Sequence, residues 1–299
     1  MRVERGGRYN SAMRTNAFLL CCLVLFQSLR LNAITIEQLE KDAAQGGVRA
    51  QLMLGLKFSN GEGVPKDTAK GFEWYLKAAI QGHPIGQALV GKGYEEGRGV
   101  KKDDAKAVEW LQKAAAQGHP AGQASLGFMY SEGRGVPKDE AKAVEWWRKA
   151  AAQGDVIAQT NLGRMYAKGR GVPKDEAKAV EWYQKAAAQG FTDAQISLGF
   201  MYSEGRGVPK DEAKAVEWFF EAAAQGDVTA QLNLGVAYSS GKGIPKDVVR
   251  SYAWFFLAAT QRSDEAKAAM VTLRKLMTPA QLDDAGKLAA VYFSKMPKK

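Results

Sequence analysis

Residues 123–154 read QASLGFMYSEGRGVPKDEAKAVEWWRKAAAQG, and the fold is decided within them. Apolar residues recur at helical spacing on both sides of a central Gly133-Arg134-Gly135-Val136-Pro137-Lys138. Glycine can supply a left-handed helix end. The residue before proline avoids the helical region. The centre therefore reads as a turn, and a first helix is expected from about Pro120 to Glu132. Asp139 is a natural N-cap, because its carboxylate can accept the free amide hydrogens of the next turn. The second helix is expected to continue to Gln153 and end at Gly154. Its apolar face holds Ala143, Val144, Trp146, Trp147, Ala150 and Ala151. Its outer face carries Glu145 and Lys149, an i,i+4 pair that recurs as Glu73/Lys77, Glu109/Lys113 and Glu181/Lys185 and marks a solvated face.

The unit recurs six times. Tryptophan stands at Trp74, Trp110, Trp146, Trp182, Trp218 and Trp254, with every gap 36. Gly55, Gly91, Gly127, Gly163, Gly199 and Gly235 keep the same period, as do the glutamines from Gln51 to Gln231 and the aspartates from Asp67 to Asp247. One helix pair cannot bury so wide an apolar face alone; stacked neighbours can, which is the logic of a solenoid. The mid-helix glycine costs about 1 kcal/mol relative to alanine. The expected compensation is close approach of a neighbouring helix, with the tryptophan packed nearby.

The ends read as caps. Thr35-Ile36-Glu37-Gln38 fits a capping box and opens a half-unit over residues 34–47 that is like a second helix without its partner. Six units fill 48–262, and capping helices are expected in 263–299. Thr278-Pro279-Ala280-Gln281 is a second capping box. The helix it starts carries Leu282, Leu288, Tyr292 and Phe293 to close the core. Residues 123–156 and 195–228 differ at four of 34 positions, which points to duplication of a two-unit block, an event a scaffold survives more readily than a single active site does.

Read along unit four, the pattern is Ala158-Gln159, Leu162-Gly163, Tyr166, Gly169, Gly171-Val172, Asp175, Ala179, Trp182, Lys185-Ala186-Ala187 and Gly190. It resembles the Sel-1-like repeats, relatives of the tetratricopeptide repeats. Departures are small: Lys101 replaces the usual proline, Phe58 the tyrosine and Glu221 the lysine. The resemblance implies an all-α, right-handed superhelix of antiparallel helix pairs with a concave groove. It also implies an adaptor in protein assemblies, of a kind often exported in bacteria.

Composition narrows the function further. The net charge is +10, but residues 1–33 carry +4 of it and Lys295, Lys298 and Lys299 three more, so the repeats offer no basic stripe for nucleic acid. Ala17 to Phe26 is an apolar run of ten residues after Arg14, followed by Leu31-Asn32-Ala33. That is the form of a signal peptide over 1–33, with translation starting at Met13 and a periplasmic or secreted product. The run is too short to span a bilayer, which needs about 20 residues. Both cysteines, Cys21 and Cys22, fall within it, so a processed chain has no thiol chemistry.

No catalytic constellation emerges, and neither a cofactor nor a metal is expected. The glycine turn followed by lysine lacks the Gly-Lys-Ser/Thr ending of a phosphate loop. His83 and His119 both precede proline one period apart, which is not a metal set. The tryptophans could form a stacking platform, but their recurrence favours packing. A partner protein or peptide would instead meet the positions where the first helices vary. At i, i+3 and i+7 these are Ser125/Phe128/Glu132, Asn161/Arg164/Lys168, Ser197/Phe200/Glu204 and Asn233/Val236/Ser240. The leading expectation is an exported interaction scaffold. The alternatives are a hydrolase acting on cell-wall or antibiotic substrates and a glycan-binding envelope component.

Overall fold

The computed structural model describes residues 35–297. The signal-peptide reading and Cys21, Cys22, Lys298 and Lys299 therefore lie outside the described residues. Those that are described form fifteen helices and no strand. After α1 (Ile36–Ala44) the helices follow in alternation: α2 (Val48–Asn60), α3 (Thr68–Ile80), α4 (Pro84–Glu96), α5 (Asp104–Ala116), α6 (Pro120–Glu132), α7 (Glu140–Ala152) and α8 (Val156–Lys168). Then come α9 (Glu176–Ala187), α10 (Thr192–Glu204), α11 (Glu212–Ala224), α12 (Val228–Ser240), α13 (Val248–Thr260), α14 (Asp264–Arg274) and α15 (Pro279–Lys295). The fold is all-α and solenoid-like. Two compact units divide it, the residues up to Ala158 with Arg170–Val172, and Gln159–Gly169 with the residues from Pro173 on.

The turn chemistry is as the sequence reads. α6 ends on Gly133 at φ 70°, and Asp139 Oδ1 accepts the Lys142 amide at 2.9 Å to start α7. The second glycine of the turn has a different task. At Gly135, φ is 67°, and an added Cβ would collide with the Asp104 carbonyl of the preceding repeat. The turn is thus pressed against the start of the preceding second helix, which only glycine permits. Arg134 in the same turn bonds the Asp104 carboxylate, and Arg206 Nε reaches Glu176 Oε1 at 3.0 Å in the second unit.

A glutamine ladder provides a second tie. Gln117 Nε2 donates to Gln87 Oε1 and to the Gly82 carbonyl, both at 2.8 Å, while Gln87 Nε2 reaches Ala79 O at 3.4 Å. In the second unit, Gln225 donates to Gln195 at 2.8 Å and to Gly190 O at 3.0 Å. Each buried amide, Gln87 or Gln195, is thus partnered by an exposed glutamine that also ties down a helix end, so burying it leaves no unpaired group.

Close approach at the mid-helix glycine is present, but the recurring tryptophan is not what fills it. The following residue does: Tyr75 at Gly55, Leu111 at Gly91, Trp147 at Gly127, Tyr183 at Gly163, Phe219 at Gly199 and Phe255 at Gly235. A Cβ at Gly199 would lie 2.5 Å from the Phe219 ring. Trp74, Trp110, Trp146, Trp182 and Trp218 are only half-buried. Trp110, for example, packs on the preceding cluster of Leu52, Phe72, Tyr75 and Val90. The lysine expected to pair with glutamate lies over the indole instead: Lys77 over Trp74 at 3.7 Å, Lys113 over Trp110 and Lys149 over Trp146 at 4.2 Å, Lys185 over Trp182 at 4.1 Å.

The ends also differ in part from expectation. Thr35 caps the Gln38 amide, but the Gln38 side chain bonds Asp42 at 2.8 Å, so only half of the first capping box forms. The Thr278 box is complete, with Pro279 at the first helical position. α15 closes the core with Ala285, Ala289, Leu288, Tyr292 and Met296, while Phe293 is 68% exposed. Tyr292 stacks on Trp254 at 4.3 Å and buries it. Leu257 stands there where Lys77, Lys113, Lys149 and Lys185 stand in the open repeats.

Gly199→Ala is expected to destabilise the second unit by about 1–3 kcal/mol, because overpacking against Phe219 outweighs the helix-propensity gain. Gly286 in α15 has nothing within 4 Å of an added Cβ. Gly286→Ala is therefore expected to stabilise by about 0.5–1 kcal/mol. Urea unfolding followed by circular dichroism checks both signs.

Candidate protein-interaction surface

The first helices carry the variable rows. In the first unit, Ser125 and Phe128 are half-buried and Glu132 is exposed. Phe128 packs on the cluster of Val108, Leu111 and Met129, with the Arg134 guanidinium 5.5 Å from its ring. In the second unit, Asn161 is buried, Arg164 Nη1 stands 3.5 Å from its Oδ1, and Lys168 is exposed. Ser197 bonds its own helix at Asp193 O, 2.7 Å, and Phe200 meets Phe219 edge-on at 5.3 Å. Glu204 is exposed beside Arg206 at 3.3 Å. Asn233 bonds Thr229 O at 2.8 Å, Val236 is 53% exposed, and the exposed Ser240 bonds Val236 O at 2.8 Å. The accessible chemistry of the rows is thus Glu132, Lys168, Glu204, Val236 and Ser240. Phe128 and Phe200 also hold the helices together, and Asn161 is buried.

A depression on this register lies one repeat earlier. Leu89, Lys92 and Glu96 of α4 stand one period before Ser125, Phe128 and Glu132, and they line a pocket with Phe72, Tyr75, Ser59 and Asn60. Its volume is about 50 Å³. Clefts for small organic ligands run to about 300–1,000 Å³, so this one fits a single inserted side chain. The sequence carries a signal for it. Gly93 stands where Met129, Met165 and Met201 are buried in later repeats, and Phe72 stands where they have valine.

Beside the pocket runs a charge network. Lys92 Nζ lies 2.9 Å from Glu95 and 3.2 Å from Glu96, and Arg134 reaches Glu95 at 3.3 Å and Asp104 at 2.6 Å. Glu95 is 5% exposed at a position held elsewhere by serine or alanine. The hydrogen bond from Arg134 holds the Asp104 carboxyl below the usual range. Every charge here is paired, so the network forms a charged rim beside the pocket.

The remaining chemical candidates fall to structural roles. Lys138, after the glycine turn, pairs with Glu140 at 3.4 Å. His83 and His119 begin α4 and α6 without capping through their side chains, and their Nδ1 atoms are buried without a partner. Burial lowers both pKa values, and for His119 the charge of His83 adds to the effect. Asp155, at the next equivalent position, accepts the Ala158 amide, and burial pushes its pKa up to about 6. Among the described residues no group of three or more histidine, cysteine or carboxylate side chains could hold a metal ion, and no helix is long and apolar enough to cross a membrane.

The family model described as Sel1 repeat matches residues 48–83, 84–119, 120–155, 156–191, 192–227 and 228–263. The chain is similar to the solved structure of a Sel1 repeat protein from Oxalobacter formigenes, at 32% identity and a TM-score of 0.68, over 76% of this chain and 100% of that one. It is also similar to c5321, a protective antigen of uropathogenic Escherichia coli with an SLR fold, at 27% identity over 87% of this chain and 86% of that one, TM-score 0.36. Cysteine rich protein B of Helicobacter pylori is 28% identical over 42% of this chain and 96% of its own, TM-score 0.34. No curated protein sequence matches the chain.

The histidines generate a pH prediction. A histidine whose folded pKa is lowered binds fewer protons folded than unfolded, so its contribution to stability is lost as pH falls below the unfolded value near 6.5. Asp155 acts in the opposite sense: its raised folded pKa makes stability rise as pH falls through about 6. The stability of His83→Phe/His119→Phe relative to the parent should therefore increase steadily between pH 7.5 and 5, as urea titrations at each pH would read. A difference independent of pH overturns the assignment.

Proposed function

The chain belongs to the Sel1 repeat family, whose members are protein-interaction scaffolds generally without enzymatic activity, and we propose that it captures an extended partner polypeptide along the variable rows of its first helices. The observation that carries the reading is the pocket of Phe72, Tyr75 and Leu89, which lies on the row register and has the volume of one side chain. A buried anchor surrounded by polar contacts is how protein interfaces concentrate their affinity. The rows Ser125/Phe128/Glu132, Asn161/Arg164/Lys168, Ser197/Phe200/Glu204 and Asn233/Val236/Ser240 supply amide, aromatic and charged groups at one helical register, a mixture suited to peptide backbone and side chains alike.

We propose further that the chain is exported. The reading rests on Arg14, the apolar run Ala17–Phe26 and the small residue Ala33. N-terminal sequencing of the protein recovered from the extracytoplasmic fraction should begin at Ile34; recovery of an intact Met1 or Met13 in that fraction rejects cleavage.

The rows are tested with the exposed residues Lys168, Glu204 and Val236, so that folding is spared, and the pocket with Leu89, which is half-buried against the cluster of Leu52, Phe72 and Val90. Immobilised chain is used to retain proteins from native envelope extract, and the retained partner is then offered to the variant Lys168→Glu/Glu204→Lys/Val236→Asp and, separately, to Leu89→Asp. Each is expected to lower retention by roughly tenfold or more with an unchanged circular dichroism spectrum. Undiminished retention by both variants rejects the rows.

A further inference from the structure

We infer that the groove between α13 and α14 is a docking site for an acidic amphipathic helix of another protein. α14 follows the repeat register of a first helix: Lys267, Met270, Val271 and Arg274 stand one period after Gln231, Leu234, Gly235 and Tyr238. Through those four positions α12 holds its own second helix. Leu234 and Tyr238 are buried, and Gly235 seats the Phe255 ring. α14 has no such helix. The next helix, α15, packs on α13 and makes no more than incidental contact with α14. The face that is covered in each repeat is open here.

What remains is an apolar groove of about 370 Å³, floored by Tyr252, Phe256, Met270 and Val271 and bracketed by Lys267 and Arg274. Phe256 is 41% and Val271 62% exposed. Contiguous exposed apolar surface rimmed by charge marks an interaction site. The groove takes a helix, because it is the channel that a second helix fills beside every preceding first helix.

The occupant is not a second helix of this chain. Val271 stands in the glycine position and fills the seat an aromatic would need; at Gly235 a Cβ would lie 2.6 Å from the Phe255 ring. The occupant therefore presents small residues to Val271. Its charge is set by Lys267 and Arg274, seven residues apart on one helix face, or about 10.5 Å. The complement is a pair of carboxylates at i and i+7. None of this chain's second helices carries acidic residues at that spacing, so the fit is to a different protein. Lys267 meets only its own Asp264, in an exposed pair at 2.9 Å, which a better-placed carboxylate displaces at little cost.

The site is independent of the variable rows and is tested separately on the full chain. Two labelled synthetic helices of about 20 residues, long enough to hold helical structure in water, share an alanine/leucine stripe. One carries glutamate and the other lysine at i and i+7. Fluorescence anisotropy should show the acidic peptide binding, more weakly as salt is raised. Phe256→Asp and Val271→Asp should each weaken it roughly tenfold. Lys267→Glu/Arg274→Glu should reverse the preference to the basic peptide, a gain that misfolding cannot produce. Lys168→Glu/Glu204→Lys/Val236→Asp should leave it unchanged. Failure of the acidic peptide to bind, equal binding of both peptides, or a dimer in sedimentation that Phe256→Asp dissolves would each overturn the proposal, the last by showing that a second copy fills the groove.

Discussion

The spacing of the two helices in each pair is set by a methyl group that is not there. At Gly55, Gly127, Gly163, Gly199 and Gly235, the backbone of the first helix touches the ring of the second, and at Gly91 it touches Leu111. Alanine on the second helix then fills the narrow space on either side, as Ala143 and Ala150 do around Trp147. With the pair this close, the buried Gln87 amide comes within bonding distance of Gln117, which also reaches the neighbouring helix end. The core sets one large side chain of the second helix amid alanines against a leucine of the first, as Trp147 lies with Leu126, and it tolerates exchange among leucine, tyrosine, phenylalanine and tryptophan at the seat. It does not tolerate a Cβ opposite.

Much of this was legible in the sequence, because period and turn chemistry are local. Gly133, Pro137 and Asp139 dictate where α6 ends and α7 begins whatever lies nearby. Recurrence was a poor guide to burial, however. The tryptophan that never changes is half-exposed in the first five repeats, and the residue after it, which varies, is the core. Nor does spacing say which partner a lysine takes. Lys149 has Glu145 at i−4 and Trp146 at i−3, both within reach. An exposed cation–π contact is worth about 0.5–1 kcal/mol, against about 0.2–0.5 for the ion pair, and the indole prevails. The pocket at Leu89 escaped notice because its cause is spread over Phe72 and Gly93 on different helices, two departures that have meaning only once packed together.

The same unit carries finished and unfinished faces, distinguished by single residues. Lysine over tryptophan closes the second-helix surface in four repeats. Leucine at 257 opens it in the sixth, where Tyr292 of α15 takes the lysine's place on Trp254. In the second repeat Glu95 replaces a small residue, and Lys92 and Arg134 gather around it. Substitutions at the exposed variable positions, such as Glu132, Lys168, Glu204 and Val236, change the surface without touching the glycine seat or the glutamine ladder, so a repeat acquires a new face while keeping its fold.

Within each unit most of the polar ties between repeats run back along the chain. Gln117 reaches back to Gly82, Gln225 to Gly190, Arg134 to Asp104, Arg206 to Glu176, and Gly135 rests on a carbonyl made thirty-one residues earlier. Gln51 and Gln87 likewise donate back to Ala43 O and Ala79 O, and the turns at Gly99, Gly207 and Gly243 also rest on the repeat before them, while Gln231 reaches forward to Met296 of the closing helix. A chain leaving the ribosome, or threading a membrane pore from its amino end, would thus find most of these partners already in place, and could order itself in the sequence in which it emerges.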